Sequence, residues 1–211
     1  MTGSLFPEFD EAETSIRGAV NSDPVLPAGA VFRGDYLEHS EALHLVKSLD
    51  QEPWITDLKR RVQHYGYRYD YLARRVNFED RIGDLPSWCQ DLASRVGTEF
   101  FQGNTPDQLI INEYQGAQGI APHVDCEPCF MDGIITISLL EPCRMDFVHL
   151  QSSEKLSCIL PPGSLLLMAG ESRYDWTHGI RPNKNTVLGD GTRIPRDRRI
   201  SLTFRRVILE Q

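Results

Sequence analysis

The sequence lacks any apolar run long enough to cross a membrane as a helix. Its longest ones, such as Leu165 to Ala169, fall far short of the roughly 20 residues a bilayer requires. The opening stretch MTGSLFPEFDEAETS is acidic and lacks the basic and apolar regions of a secretory signal. A cytoplasmic protein is therefore expected, with the nucleus as a further compartment if the source is eukaryotic. A regular cysteine framework is also missing. Five cysteines, at positions 89, 126, 129, 143 and 158, are odd in number and irregular in spacing, which argues against a disulfide framework and for reduced, mostly buried thiols. No internal repeat at a fixed period is present. Positive charge is scarce too, with 22 Lys and Arg against 30 Asp and Glu, a net charge of −8 that speaks against phosphate binding over the whole surface.

What is present is unevenly distributed. Lys59 to Arg81 carries seven basic and three acidic residues, and Arg181 to Gln211 carries eight and three, so two basic segments stand on an acidic body. The 211 residues suffice for one domain with a full core, and a monomer is expected. Residues 1–26, with Pro7 and Pro24 among scattered acids, read as a loosely ordered lead-in to a folded domain over 27–211. His39 to Leu49 places Leu43, Val46 and Leu49 at helical spacing, and the segment after Pro86 repeats this with Trp88, Leu92, Val96 and Phe100. From residue 108 onward the pattern changes. QLIINEY, GIITISL, RMDFVHL, KLSCIL, SLLLMAG and RRISLTFRRV are short β-rich runs separated by turn residues. Helices followed by a run of strands predict an α+β, mainly β fold whose core is a sandwich or barrel.

Between helices and strands lies HYGYRYDYLARRVNFEDR, in which Tyr65, Tyr67, Tyr69 and Tyr71 alternate strictly with Arg68, Arg74 and Arg75 interleaved. Strand periodicity predicts the four rings on one face. They are either packed on the core or offered, beside guanidinium groups, as a surface on which unpaired bases stack.

The stretch APHVDCEPCF offers two metal-binding readings: His123 with Asp125, and Cys126 with Cys129. The thiolate pair has no second pair to complete a tetrahedral zinc site. Spacing of two puts His123 and Asp125 on one side of an extended segment, and among the remaining histidines His178, after the run SLLLM, is best placed to join them. Two histidines and one carboxylate on a triangular face are the ligand set of non-haem Fe(II) oxygenases. In RRISLTFRRV, Arg199, Ser201, Thr203 and Arg205 share one strand face. Two arginines pointing inward need anions, and a dicarboxylate would serve. Asn112 and Tyr114 likewise share a face, adding an amide and a phenol.

Taken in order, Asn112 and Tyr114, His123 and Asp125, His178, and Arg199 and Arg205 resemble the signature of the AlkB family of Fe(II)/2-oxoglutarate-dependent dioxygenases. GESRYDWTHGIRP and HYGYRYDY are similar to the branch of that family that hydroxylates wobble uridines in tRNA. The resemblance spans about residues 30 to 208. It implies a double-stranded β-helix, or jelly-roll, with covering helices and a nucleotide-recognition lid. It further implies Fe(II) held by His123, Asp125 and His178; the distal carboxylate of 2-oxoglutarate on Arg199; and its C1 end on Arg205 and Asn112, assisted by Tyr114. With O2 as the oxidant, a modified base in DNA or RNA would be hydroxylated or oxidatively dealkylated, as in nucleic-acid demethylation, DNA repair or RNA modification. The alternative is the same iron chemistry on a protein or a small molecule. Glu127, four residues after His123, and Tyr67, Tyr69, Arg74 and Arg75 are the expected substrate-binding residues. Arg173 and Tyr174, near His178, are expected either to line the pocket or to pack. Cys126, beside an oxidising iron, is expected to be open to oxidation.

Overall fold

The computed structural model describes residues 24–57 and 59–209. The lead-in expected over residues 1–26 falls almost wholly outside the described residues. A six-stranded antiparallel sheet has the order β1 (Ala30–Arg33), β8 (Leu165–Met168), β5 (Ile134–Leu140), β12 (Arg198–Arg205), β3 (Gln108–Gln115) and β2 (Arg61–Tyr65). A four-stranded sheet has the order β4 (Ile120–His123), β9 (Trp176–Ile180), β6 (Cys143–His149) and β7 (Lys155–Leu160). A small ladder, β10 (Asn185–Val187) with β11 (Arg193–Pro195), leads into β12. The two larger sheets are the walls of a jelly-roll, the fold that the family resemblance implies.

Two apolar clusters hold these layers. The outer face of the large sheet presents Ile111, Ile137, Leu139, Ile200, Leu202 and Phe204 to α1 (His39–Leu49) and α2 (Gln90–Phe100). The helices answer with Leu45, Leu49, Leu92 and Val96, with Val46 partly buried beside them, whereas Leu43, expected on the same face, is exposed. Burying each such side chain contributes about 1.5–3 kcal/mol relative to exposure. The segment after Pro86 enters α2 through a 3-10 turn at Ser87–Cys89. Buried Gln63 of β2 donates Nε2 to the Leu49 carbonyl at 2.8 Å, joining the Glu52 amide on that acceptor and fastening the end of α1 to the sheet. The second cluster draws Ile134, Leu166 and Met168 from the large sheet and Met145, Phe147, Trp176 and Ile180 from the small one. Both sheets therefore meet around one interior.

The tyrosine alternation does not survive as a strand. β2 ends at Tyr65, and Gly66 turns the chain with φ of +76°. A Cβ there would lie 1.8 Å from the Asp107 carbonyl oxygen, so only glycine fits the close approach. The four rings consequently separate. Tyr65 packs edge-on against Trp88 beneath the helices, and Tyr67 is buried in the second cluster. Tyr69 and Tyr71 meet each other edge-on at 5.0 Å on a hairpin closed by the Asp70–Arg75 bridge.

Candidate metal and cosubstrate site

The interior between the sheets opens into a pocket of about 360 Å³, a size ordinary for small-molecule sites. His123 ends β4 and pairs across the ladder with His178 of β9, which brings their ring centroids to 4.4 Å. The ladder shifts register between Ile120 and His123, and His123 lines the pocket. Gly179 makes this possible, because a Cβ there would press on Pro122 and Ile120 at 2.9 to 3.0 Å. Asp125 follows two residues later, and its Oδ2 lies 3.5 Å from His178 Nε2. One ligand atom from each of His123, Asp125 and His178 lies within 4.8 Å of the others. Among the described residues no other cluster of this kind is present.

The environment prepares these groups for a cation. His123 Nδ1 lies 2.9 Å from the Ala121 carbonyl oxygen. A carbonyl only accepts, so Nδ1 carries a proton, and Nε2 is the nitrogen left to face a metal. Burial lowers the His178 pKa to about 4 against the opposing pull of Asp125, which keeps the imidazole neutral at physiological pH. Burial pushes the Asp125 carboxyl upward, but Arg205 first, then His178 and His123, overcome it and hold the group well below the usual carboxylate range. Arg205 Nη2 donates to Asp125 Oδ1 at 2.6 Å, and its guanidinium lies 4.8 Å from the Phe130 ring centroid. Two imidazoles and a carboxylate fit a divalent iron-type ion.

The inward face of β12 is as the alternation predicts: Arg199, Ser201, Thr203 and Arg205 all line the pocket, as do Asn112 and Tyr114 of the neighbouring β3. Arg199 is the telling member. It is 5 % exposed; its Nη2 donates to Ser138 Oγ at 2.9 Å, yet Nε and Nη1 are buried without a hydrogen-bond partner. Such a group is costly to bury unless an anion meets it, so the donor set fits a carboxylate-bearing cosubstrate.

The mouth of the pocket contains a residue that sequence reasoning missed. Arg60 lines it and donates Nε to Asn112 Oδ1 at 2.7 Å. Guanidinium cannot accept, so this bond fixes the amide with its NH2 away from Arg60. The only sequence signal was membership of a basic segment. Of the expected substrate residues, Tyr69 and Arg74 line the pocket together with Tyr71. Tyr67, Arg75 and Glu127 are not among the pocket's lining residues; Tyr67 is buried, Arg75 and Glu127 exposed. Arg173 is buried and packs: it donates to the backbone oxygens of Asp125, Cys126 and Phe130 at 3.2 to 3.3 Å, bracing the ligand-bearing turn. Tyr174 stacks against that guanidinium.

The expectation of reduced thiols holds for Cys89, Cys143 and Cys158, which are free and buried. It fails for Cys126 and Cys129, which form a disulfide. The turn after Asp125 brings their Cα atoms to 5.3 Å, within disulfide reach, so two residues expected as reduced thiols are a covalent pair.

A family model described as the 2OG-Fe(II) oxygenase superfamily matches residues 30–205. The chain is 35% identical over 210 residues to the "Alkylated DNA repair protein ALKBH8 homolog" of Arabidopsis thaliana, a match covering 89% of this chain and 60% of that protein. It is 35% identical to the Xenopus tropicalis "tRNA (carboxymethyluridine(34)-5-O)-methyltransferase alkbh8", covering 87% of this chain but 32% of the relative. A third relative, "Alpha-ketoglutarate-dependent dioxygenase alkB homolog 7, mitochondrial" of Mus musculus, is 31% identical, with 75% of this chain and 74% of the relative covered. The chain thus spans less than two thirds of the first two relatives. Among solved structures, that titled "The structure of OsALKBH1" superposes with a TM-score of 0.63 at 17% identity, covering 87% of this chain and 99% of that one, a likeness of fold.

Proposed function

Because the chain belongs to the 2OG-Fe(II) oxygenase superfamily, with AlkB homologues among its relatives, we propose that it hydroxylates or oxidatively dealkylates a modified base in DNA or RNA. It is an Fe(II)/2-oxoglutarate-dependent dioxygenase, a class that uses Fe(II), 2-oxoglutarate and O2. When bound, these supply the oxidising power that replaces a substrate C–H hydrogen with hydroxyl.

The chain's own residues do the binding and orienting. In this reading His123, Asp125 and His178 hold the metal, and Arg199 takes the distal carboxylate of 2-oxoglutarate on its unpartnered donors. Asn112, held by Arg60, presents its NH2 to the other end, with Tyr114 and Arg205 beside it. Arg205 also orients Asp125 from the side opposite His178. The observation that carries the substrate assignment is the mouth: Tyr69, Tyr71, Arg60 and Arg74 form an aromatic and cationic rim beside the triad. Rings and guanidinium groups together suit a base taken from a single strand or flipped from a duplex, with its phosphate nearby. Two relatives, one named for DNA repair and one for tRNA modification, support the same class.

The test is anaerobic loading with Fe(II) and 2-oxoglutarate, then aerobic succinate release against alkylated single-stranded DNA, duplex DNA and modified tRNA. Stimulation by one of these over the uncoupled rate is expected, and formaldehyde release separates dealkylation from stable hydroxylation. Stimulation only by peptides or small molecules would overturn the nucleic-acid reading.

A further inference from the structure

The Cys126–Cys129 disulfide occupies a junction between the metal-ligand turn and the rim of the pocket. Asp125 precedes it directly, and the Cys129 carbonyl accepts from the Ile208 amide at 2.8 Å, tying the pair to the segment that leaves β12. Arg173 braces the same turn from below. On the other side both sulfurs face one atom of the hairpin, the Arg74 carbonyl oxygen, at 3.2 Å from Cys126 Sγ and 3.4 Å from Cys129 Sγ. Arg74 lines the pocket and has a positive φ of 51°, so its peptide is held in an uncommon conformation. Cys126 and Cys129 are 6 % and 3 % exposed, lying under that hairpin with Tyr67, Val76 and Phe130.

We propose that Cys126 and Cys129 are a reversible dithiol–disulfide site that sets how firmly the hairpin over residues 70–75 closes the pocket, with a dithiol as its reductant. As a disulfide neither sulfur carries hydrogen, and the contacts with the Arg74 oxygen are only close packing. As thiols, either S–H is within reach to donate to that oxygen, adding a bond between the metal-ligand turn and the hairpin. The chemistry balances through exchange. A thiolate of the external dithiol attacks one sulfur, the Cys126–Cys129 bond breaks, and the displaced cysteine leaves as a thiolate that takes up a proton. The second thiol of the reductant then attacks the mixed disulfide and releases the other cysteine. Two electrons pass to the protein pair and the reductant becomes a disulfide. Burial of the sulfurs adds that the hairpin must swing away before exchange occurs, so the site reports on hairpin opening as well as controlling it. The inference does not depend on which substrate the pocket accepts.

The test compares air-oxidised and dithiothreitol-reduced protein, each desalted anaerobically and loaded with Fe(II). Alkylation with peptide mapping should label Cys126 and Cys129 only in the reduced form. Hydrogen exchange of amides in 70–76 should be about threefold slower in the reduced form, the effect of one weak hydrogen bond. The Cys126→Ser/Cys129→Ser double variant should lose the redox dependence of that exchange. Full labelling of both cysteines after oxidation, exchange rates equal in the two forms, or an unchanged redox response in the double variant would each overturn the proposal. Succinate release is read separately, so loss of turnover alone bears on the catalytic assignment and not on this one.

Discussion

A buried guanidinium with idle donors is a cost to the folded protein. Arg199, with Nε and Nη1 unpartnered, should therefore oppose stability until a carboxylate arrives. Arg199→Met is expected to raise the melting temperature of the ligand-free protein by a few degrees, from roughly 1 kcal/mol, while abolishing the stabilisation that 2-oxoglutarate gives the metal-loaded wild type. Differential scanning fluorimetry with and without 2-oxoglutarate, using Mn(II) as a non-turnover metal, reads both effects; a variant still stabilised by 2-oxoglutarate would remove Arg199 from that role. Arg60 poses the opposite case, a residue whose bond at 2.7 Å fixes another side chain. Arg60→Gln should leave the Asn112 amide free to turn, raising KM for 2-oxoglutarate about fivefold to tenfold with kcat within about twofold, and Arg60→Lys should recover part of the loss. Equal falls in kcat and kcat/KM would instead place Arg60 on the reacting substrate. The triad and the β12 arginines were legible because each sits at a spacing with a chemical meaning. Arg60 was not, because its significance lies in a partner 52 residues away, which no local pattern encodes.

At the scale of elements, the edge of the large sheet is clasped by one carboxylate. Glu113 of β3 is 1 % exposed and receives Arg61 Nη2 of β2 and Arg198 Nε of β12, each at 2.7 Å, while Arg198 also reaches Asp50 at the end of α1. Burial pushes the Glu113 carboxyl upward, but Arg61 and Arg198 outweigh it and the pKa is lowered. A depressed carboxyl gives stability that is present above its unfolded value near pH 4.3 and is lost as pH falls below it through the lower folded value. Glu113→Gln should cost about 2 kcal/mol in urea unfolding at pH 7 and should weaken the loss of stability below about pH 4.5. An unchanged acid limb would show that the clasp is not what acid breaks. Gly66 governs the other element at this edge. Gly66→Ala must either press on Asp107 or abandon its φ of +76°, so a loss of about 2 kcal/mol or more is expected, with faster hydrogen exchange in the hairpin over 70–75. Strands β3, β5, β6, β7, β8 and β12 were legible because their β-branched or apolar residues run without interruption between turn residues. β4 and β9 were not: IAPH and WTHGI are short, contain Pro122 and Gly179, and are joined through an irregular register. The tyrosine alternation misled because a single glycine overrides periodicity when the backbone must turn.

For the whole molecule, a net charge of −8 makes any approach to nucleic acid depend on where the positive charge stands. Much of the basic segment at residues 181–211 is spent internally: Arg199 and Arg205 point into the pocket and Arg198 is held by Glu113 and Asp50. The basic segment at 59–81 is different. Arg74 and Arg75 are both exposed on the hairpin, Arg74 at the pocket itself, so this side is where an acidic body can offer a phosphate a local attraction. Binding through these residues must release counterions, and for single strands log K falls with log salt by about 0.7 per phosphate neutralised. Replacing both with glutamate removes two such contacts without touching a buried group. The expected result for Arg74→Glu/Arg75→Glu is weaker oligonucleotide binding at low salt, a salt slope shallower by about 1.4, and an unchanged melting temperature. Fluorescence anisotropy between 50 and 200 mM salt measures the slope. If the slope is the same in variant and wild type, the hairpin does not contact the backbone; if affinity falls and the slope flattens as the charge count requires, this hairpin is where an acidic protein accepts a polyanion.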